Sequence, residues 1–142
     1  MPAHELNNPL KMLIGYQLRR ASAAAMETLA DDLARLDLRP SEASILLLVD
    51  GNALAKPIDI ARELGIQRAN MTPLIAGLER RGLIARAAAD GRSHALSLTE
   101  GGRQAAKSAF EAMQTHEERL RLRLGRSAAQ DLADRLARLW DE

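Results

Sequence analysis

The stretch between residues 56 and 99 constrains the fold of this chain more than any other. Lys56 and Pro57 open a short helical pattern in which Ile58, Ile60, Ala61 and Leu64 are apolar, and Gly65 suits the left-handed position that ends a helix. After a turn around Gly65, Ile66 and Gln67, a second helical pattern covers residues 68–81, with Met71, Leu74, Ile75 and Leu78 expected inside and Gly82 as its stop. Pro73 falls near the start of this helix, where it removes about one backbone hydrogen bond and bends the axis without breaking it. Residues 83–89 and 93–99 then read as two short strands, because Leu96 and Leu98 alternate with polar neighbours and Asp90-Gly91 supplies a tight turn. Two helices joined by so short a turn and followed at once by a hairpin predict a helix-turn-helix with a wing.

The flanks are helical. Leu10, Leu13, Ile14, Leu18, Ala21, Ala25, Leu29, Leu33 and Leu36 recur at spacings of three and four, which predicts one long amphipathic helix over residues 9–36 with Pro9 in its first turn. Pro40 starts a short, largely buried helix that runs through the apolar residues 45–49 and ends at Asp50-Gly51-Asn52. Thr99 is expected to cap a long helix over residues 100–124, with Ala105, Ala106, Ala109, Phe110, Met113 and Leu120 on its apolar side. Ser127 and Gln130 have the spacing of a capping box and are expected to open a last helix, on which Leu132, Leu136, Leu139 and Trp140 share a face. The fold class expected is therefore mainly α with a small β-hairpin wing, a winged helix-turn-helix carrying extra helices at both ends. The apolar stripes of those end helices exceed what a winged-helix core needs, so pairing across a two-fold axis is expected to cover them. The chain then divides into an N-terminal dimerisation helix (1–37), a winged helix-turn-helix DNA-binding lobe (38–101) and C-terminal dimerisation helices (102–142).

Composition narrows the function classes. A chain of 142 residues, 46% apolar, supports one compact module rather than two catalytic domains. With no cysteine, disulfides, thiolate zinc sites and thiol-based redox sensing are excluded. The longest apolar run, residues 45–49, is far short of the roughly 20 residues that cross a bilayer, and His4 and Glu5 interrupt any secretory leader, so a cytoplasmic location is expected. His4, His94 and His116 lie apart, with no paired nucleophile or orienting carboxylate, so the chain is not expected to be an enzyme, and no cofactor is expected. His116 precedes Glu117 and Glu118, but adjacent helical residues point apart, so a solvated face is expected there rather than a metal.

Charge points toward nucleic acid. Residues 56–92 hold seven basic and four acidic side chains in a chain whose net charge is only +1, so the basic surplus is concentrated around the helix-turn-helix and wing. Gln67, Arg68, Asn70 and Thr72 cluster at the start of the second helix, the end whose free N–H groups attract phosphate. An arginine there can hold guanine bidentately and an asparagine adenine, each discriminating by roughly 1–3 kcal/mol, so Arg68 and Asn70 are the expected base readers. Asn70 and Thr72 are equally the residue types that cap helices. At the hairpin tip Arg92 suits a narrow minor groove, with Arg86, Ser93 and His94 beside it, while Lys56 is placed to meet the backbone or simply to be solvated.

The segments Leu78-Glu79-Arg80-Arg81-Gly82-Leu83-Ile84 and Asp90-Gly91-Arg92-Ser93-His94-Ala95-Leu96-Ser97-Leu98-Thr99-Glu100-Gly101-Gly102, in this order and spacing, resemble the MarR family of bacterial regulators. The second segment has the family's wing pattern: an acidic residue and an arginine at the tip, a leucine-threonine strand end and a glycine in the next helix. The resemblance covers about residues 38–103. It implies that Asp90 and Gly91 scaffold the wing, that the terminal helices interlock in a homodimer, and that two recognition helices read the half-sites of a palindromic operator about one DNA turn apart. It also implies a small aromatic or acidic effector, such as an aromatic acid or its acyl-CoA thioester, bound between the dimerisation helices and the DNA-binding lobe. Tyr16, Gln17, Arg19 and Arg20 are the candidates to meet that effector, or to pack and pair within the interface. The function expected is a ligand-responsive repressor of transcription; the alternative is a winged-helix protein–protein interaction module that does not read DNA sequence.

Overall fold

The computed structural model describes residues 5–90 and 93–141. Its order is a 3-10 turn Pro9–Met12, α1 Ile14–Ala34, α2 Pro40–Gly51, α3 Pro57–Leu64, α4 Arg68–Arg80, β1 Ile84–Asp90, β2 Ser93–Leu98, α5 Glu100–Leu124 and α6 Arg126–Ala137. The predicted elements are all present, and the helix-turn-helix falls where Gly65 places it. Gly65 adopts φ 65°, and the Ile66 N–H reaches back to the Ala61 carbonyl at 2.9 Å, closing α3 with the six-to-one bond of a Schellman end. The same device closes α4 at Gly82 (φ 70°), where the Leu83 N–H donates to the Leu78 carbonyl.

β1 and β2 pair antiparallel from Ile84 opposite Leu98 to Asp90 opposite Ser93, with an irregularity between Ala88 and Asp90. One more backbone partner joins them: the Leu96 N–H donates to the Ala55 carbonyl at 2.7 Å, tying the hairpin to the loop before α3. Thr99 caps α5 as expected, its hydroxyl accepting from the Gly102 N–H at 3.0 Å and donating to the Gly82 carbonyl at 2.6 Å. α5 therefore starts locked against the end of α4. The approach is so close that a Cβ on Gly102 would collide with the Leu83 carbonyl oxygen, which is why glycine stands in the first turn of α5.

The core runs through every layer of the lobe and into the long helices. Leu33 of α1, Ile45 and Leu46 of α2, Met71, Ile75 and Leu78 of α4 and Leu96 of β2 are fully enclosed, with Ala106 and Ala109 of α5 packed beside them. Small alanines on α5 let α2 approach it closely, and α2, whose residues 43–49 are all buried or half-buried, lies between neighbours as such a helix must.

Three local expectations are corrected. The first helix is not continuous over residues 9–36: Asn8 caps a 3-10 turn, Leu13 is extended (φ −91°, ψ 129°), and α1 begins only at Ile14. An asparagine oxygen on the Leu10 N–H, together with Gln17 Nε2 donating to the Lys11 carbonyl at 2.8 Å, satisfies the backbone without a helix. The capping box at Ser127 and Gln130 does not form; Gly125 (φ 88°) is the N-cap, and the Gln130 side chain instead joins Arg121 to Asp134. His116 is not on a solvated face. It is buried between α5 and α1, and its Nε2–H donates to the Ala25 carbonyl at 3.0 Å.

Candidate nucleic-acid interface

α3, α4 and the hairpin converge on one face of the lobe. Between them lies a cleft of about 300 Å³ lined by Lys56, Ile58, Arg68, Thr72, Arg86 and His94, with Met71 and Ile75 at its floor. Five of the predicted DNA-contacting residues thus meet around one opening, although they come from four separate stretches of the chain. Lys56 is half-buried at the N-cap of α3, and Arg68 opens α4. Ile58, expected to face the core with its neighbours on α3, is half exposed at the rim of this cleft.

The first turn of α4 is built to stay open. Gln67 is its N-cap and makes no side-chain cap bond; the Asn70 and Met71 N–H groups donate to its carbonyl, and among the described residues those of Arg68 and Ala69 are left for an outside acceptor. Asn70 is exposed and caps nothing among the described residues, while Thr72 only approaches the Arg68 carbonyl, at 3.4 Å. Gln67, Arg68, Asn70 and Thr72 are all exposed, whereas Met71, Ile75 and Leu78 are buried. Pro73 sits inside α4 without breaking it.

The basic surplus is divided by the fold. Arg86 Nε donates to Glu79 Oε2 at 2.6 Å, so this arginine braces the wing against α4 and only its remaining donors face the cleft. Arg62 lies 3.6 Å from Asp59 on the exposed side of α3. Arg80 and Arg81 line a different cleft, on the side of α4 that faces the end of α1 and the start of α2. Arg68 makes no ion pair among the described residues, which leaves it the most available guanidinium of the face. The Glu79–Arg86 brace was not legible in the sequence, since nothing in a helix residue and a strand residue seven positions apart announces that a turn will fold one onto the other.

At the wing, the Asp90 and Ser93 backbones pair across the hairpin, while the side chains of both lie outside what is described. Gly91 and Arg92 lie outside the described residues altogether, as does His4. His94 is exposed on β2.

The four candidate effector residues lie on α1, away from this face. Tyr16 is half-buried, its hydroxyl accepts from Asn8 Nδ2 at 3.0 Å, and the Arg19 guanidinium sits 5.7 Å from its ring centre. Gln17 holds the 3-10 turn through Lys11, and Arg20 is exposed. Among the described residues there is no group of three or more histidine, cysteine or carboxylate side chains fit to hold a metal, and no helix long and apolar enough to cross a membrane.

The MarR family model matches residues 36–93, which hold α2, the helix-turn-helix and the first strand of the hairpin. No curated protein matches the chain in sequence. Among solved structures, the transcriptional repressor CouR bound to a 23-mer DNA duplex superposes with a TM-score of 0.90 at 38% identity, covering 96% of this chain and 99% of its own. CouR bound to p-coumaroyl-CoA superposes with a TM-score of 0.87, also at 38% identity, covering 97% and 99%. A Mycobacterium tuberculosis MarR family protein in complex with salicylic acid matches at 26% identity and a TM-score of 0.72, covering 94% and 97%. The match to the repressor covers the terminal helices as well as the winged lobe, and with the family match at its centre the chain belongs to the MarR family of winged helix-turn-helix transcriptional regulators.

Proposed function

We propose that this chain is a ligand-responsive MarR-type repressor that binds a palindromic operator as a homodimer and is released by a small aromatic or acidic effector, most specifically an aromatic acyl-CoA thioester. One observation carries the reading: 38% identity over essentially the whole chain to a repressor solved both on a DNA duplex and with p-coumaroyl-CoA. Residues 38–101 read DNA and residues 1–37 and 102–142 form the dimer. Arg68 and Asn70 read bases from α4, flanked by Gln67 and Thr72; Lys56, Arg86, Ser93 and His94 hold the backbone, and Arg92, on a tip scaffolded by Asp90 and Gly91, enters the minor groove. Tyr16, Gln17, Arg19 and Arg20 meet the effector from α1. The protein acts in the cytoplasm and catalyses no reaction. The protein–protein module is not favoured, because the open first turn of α4 and Arg68, which makes no ion pair among the described residues, suit a polyanion.

The test is a mobility-shift titration on the DNA upstream of the protein's own gene, with p-coumaroyl-CoA, p-coumarate and salicylate added separately. Release by the thioester at a concentration where the free acids have no effect supports the reading. A complex indifferent to all three removes the effector class, and absence of any salt-sensitive binding removes the repressor.

A further inference from the structure

The C-terminal end of the recognition helix is held on two sides by very different means. Toward α5 the hold is short and closely packed: Thr99 and Gly102 grip the Gly82 and Leu83 carbonyl region directly. Toward α1 and α2 there is instead an open cleft of about 470 Å³, floored by Leu38, Pro73 and Leu74. Gly77, on that side of α4, has nothing but the tip of Arg80 within reach of an added Cβ. A single side chain spans the edge of the cleft. Arg81 Nη2 donates to the Asp37 carbonyl at 2.6 Å and lies 3.5 Å from its carboxylate, and Nη1 donates to Glu42 Oε2 at 3.4 Å.

The residue that receives Arg81 has an unusual backbone. α1 ends in the same six-to-one bond as α3 and α4, with the Leu38 N–H on the Leu33 carbonyl, but the left-handed position is taken by Asp37 (φ 58°) where α3 and α4 use glycine. Aspartate tolerates this conformation less well than glycine, and here it presents both a carbonyl and a carboxylate to Arg81. Glu42 is the other anchor, and its second oxygen accepts from the Arg39 N–H at the start of α2.

We propose that Arg81 is a positioning residue that fixes the tilt of α4 relative to α1, and thereby the half-site spacing that the paired protein accepts on DNA. The inference rests on the dimeric repressor reading above. One inserted base pair moves a half-site by about 3.4 Å and turns it by about 35°, so a recognition helix whose C-terminal end is held on one side by packing and on the other by a guanidinium will discriminate spacings only while both holds are intact.

The experiment starts from a duplex selected from a random library by the wild-type protein, remade with the two half-sites one base pair closer, unchanged, and one base pair further apart. Affinities are measured for wild type, Arg81→Met, Arg81→Lys and Asp37→Gly, alongside thermal unfolding. Wild type is expected to prefer its own spacing by about tenfold or more, and Arg81→Met to keep less than about threefold of that preference without a comparable fall in its thermal midpoint. Arg81→Lys, which reaches one anchor but not both, is expected to fall between. Asp37→Gly keeps the carbonyl acceptor and relieves the backbone, so its thermal midpoint holds or rises and most of the preference survives. Equal weakening of Arg81→Met at all three spacings, or an unchanged preference, overturns the proposal while leaving the repressor reading intact. If Arg81→Met does not fold, a wild-type preference in Arg81→Lys overturns it as well. Failure of the wild-type protein to select any sequence overturns the repressor reading and this inference with it.

Discussion

The winged lobe and the terminal helices bury their apolar residues by different routes. In the lobe, α2, α4 and β2 close around a core completed by α1 and α5 of the same protomer: Ile45, Leu46, Met71, Ile75, Leu78 and Leu96 are enclosed, and of its described large apolar side chains only Leu54 and Ile58 are at least half exposed. At the ends of the chain the pattern inverts. Leu6, Met12, Leu13 and Ile14 before and within the start of α1, Phe110 and Leu122 on α5, and Leu139 and Trp140 after α6 are all half exposed or more in the single protomer. Moving one such side chain out of water is worth roughly 1.5–3 kcal/mol, so covering these ends with a second copy, as the proposed dimer does, is favourable. In the proposed dimer the lobe presents a helix and wing to DNA, and the ends set where the second helix and wing stand.

The strongest attempt to break that contrast replaces both Ile14 and Leu139 by aspartate. Sedimentation should show monomers, and affinity for the two-half-site duplex should fall by about 100-fold or more, because the second half-site no longer binds as an intramolecular event. A dimer that survives the double replacement would mean that the apolar ends are not the interface. Within the lobe, Leu46→Ala should lower stability by about 2–5 kcal/mol in urea, with the subunits still paired when folded. Gly102→Ala drives a methyl group into the Leu83 carbonyl region, and a destabilisation of about 1–3 kcal/mol is expected in the same assay, since the start of α5 must shift away from β1. Asn70→Ala should cost roughly 1–2 kcal/mol of DNA binding at one base position and leave the urea midpoint in place, which a selection on randomised half-sites would read directly. Smallest of all, Leu54→Asp should change both stability and DNA affinity by less than about 0.5 kcal/mol, because this leucine is 70% exposed in a left-handed turn that aspartate also accepts. An effect at Leu54 as large as at Ile14 would erase the distinction between the two regions.

What could be read from the sequence follows the same division. The α3-turn-α4 unit and the hairpin rest on local chemistry, with Gly65, Gly82 and Thr99 each ending or starting an element through bonds to residues a few positions away, and their positions are legible to within a residue or two. The buried positions of α4 are legible for the same reason, since Met71, Ile75 and Leu78 recur at helical spacing and leave Arg68, Asn70 and Thr72 exposed. The features that escaped depend on contacts between distant segments. His116 carries no sign that Ala25, 91 residues earlier, will receive its N–H. Arg86 carries no sign of its bond to Glu79, and Arg81 looks like one more basic residue until the end of α1 comes round to meet it. The break at Leu13 escaped because the apolar spacing continues across it, although the backbone does not. Ser127 and Gln130 have the spacing of a cap, but Gly125 turns the chain two residues sooner and leaves the glutamine to side-chain partners.

The central claim, that two copies of this chain read two half-sites through α4 and the wing, is tested most directly by titrating the purified protein onto a fluorescent duplex under stoichiometric conditions and repeating the titration with one half-site scrambled. Saturation at two chains per duplex, with affinity falling by about 100-fold when one half-site is lost, is the predicted result. Saturation at one chain per duplex, or equal affinity for the intact and scrambled sites, would contradict it.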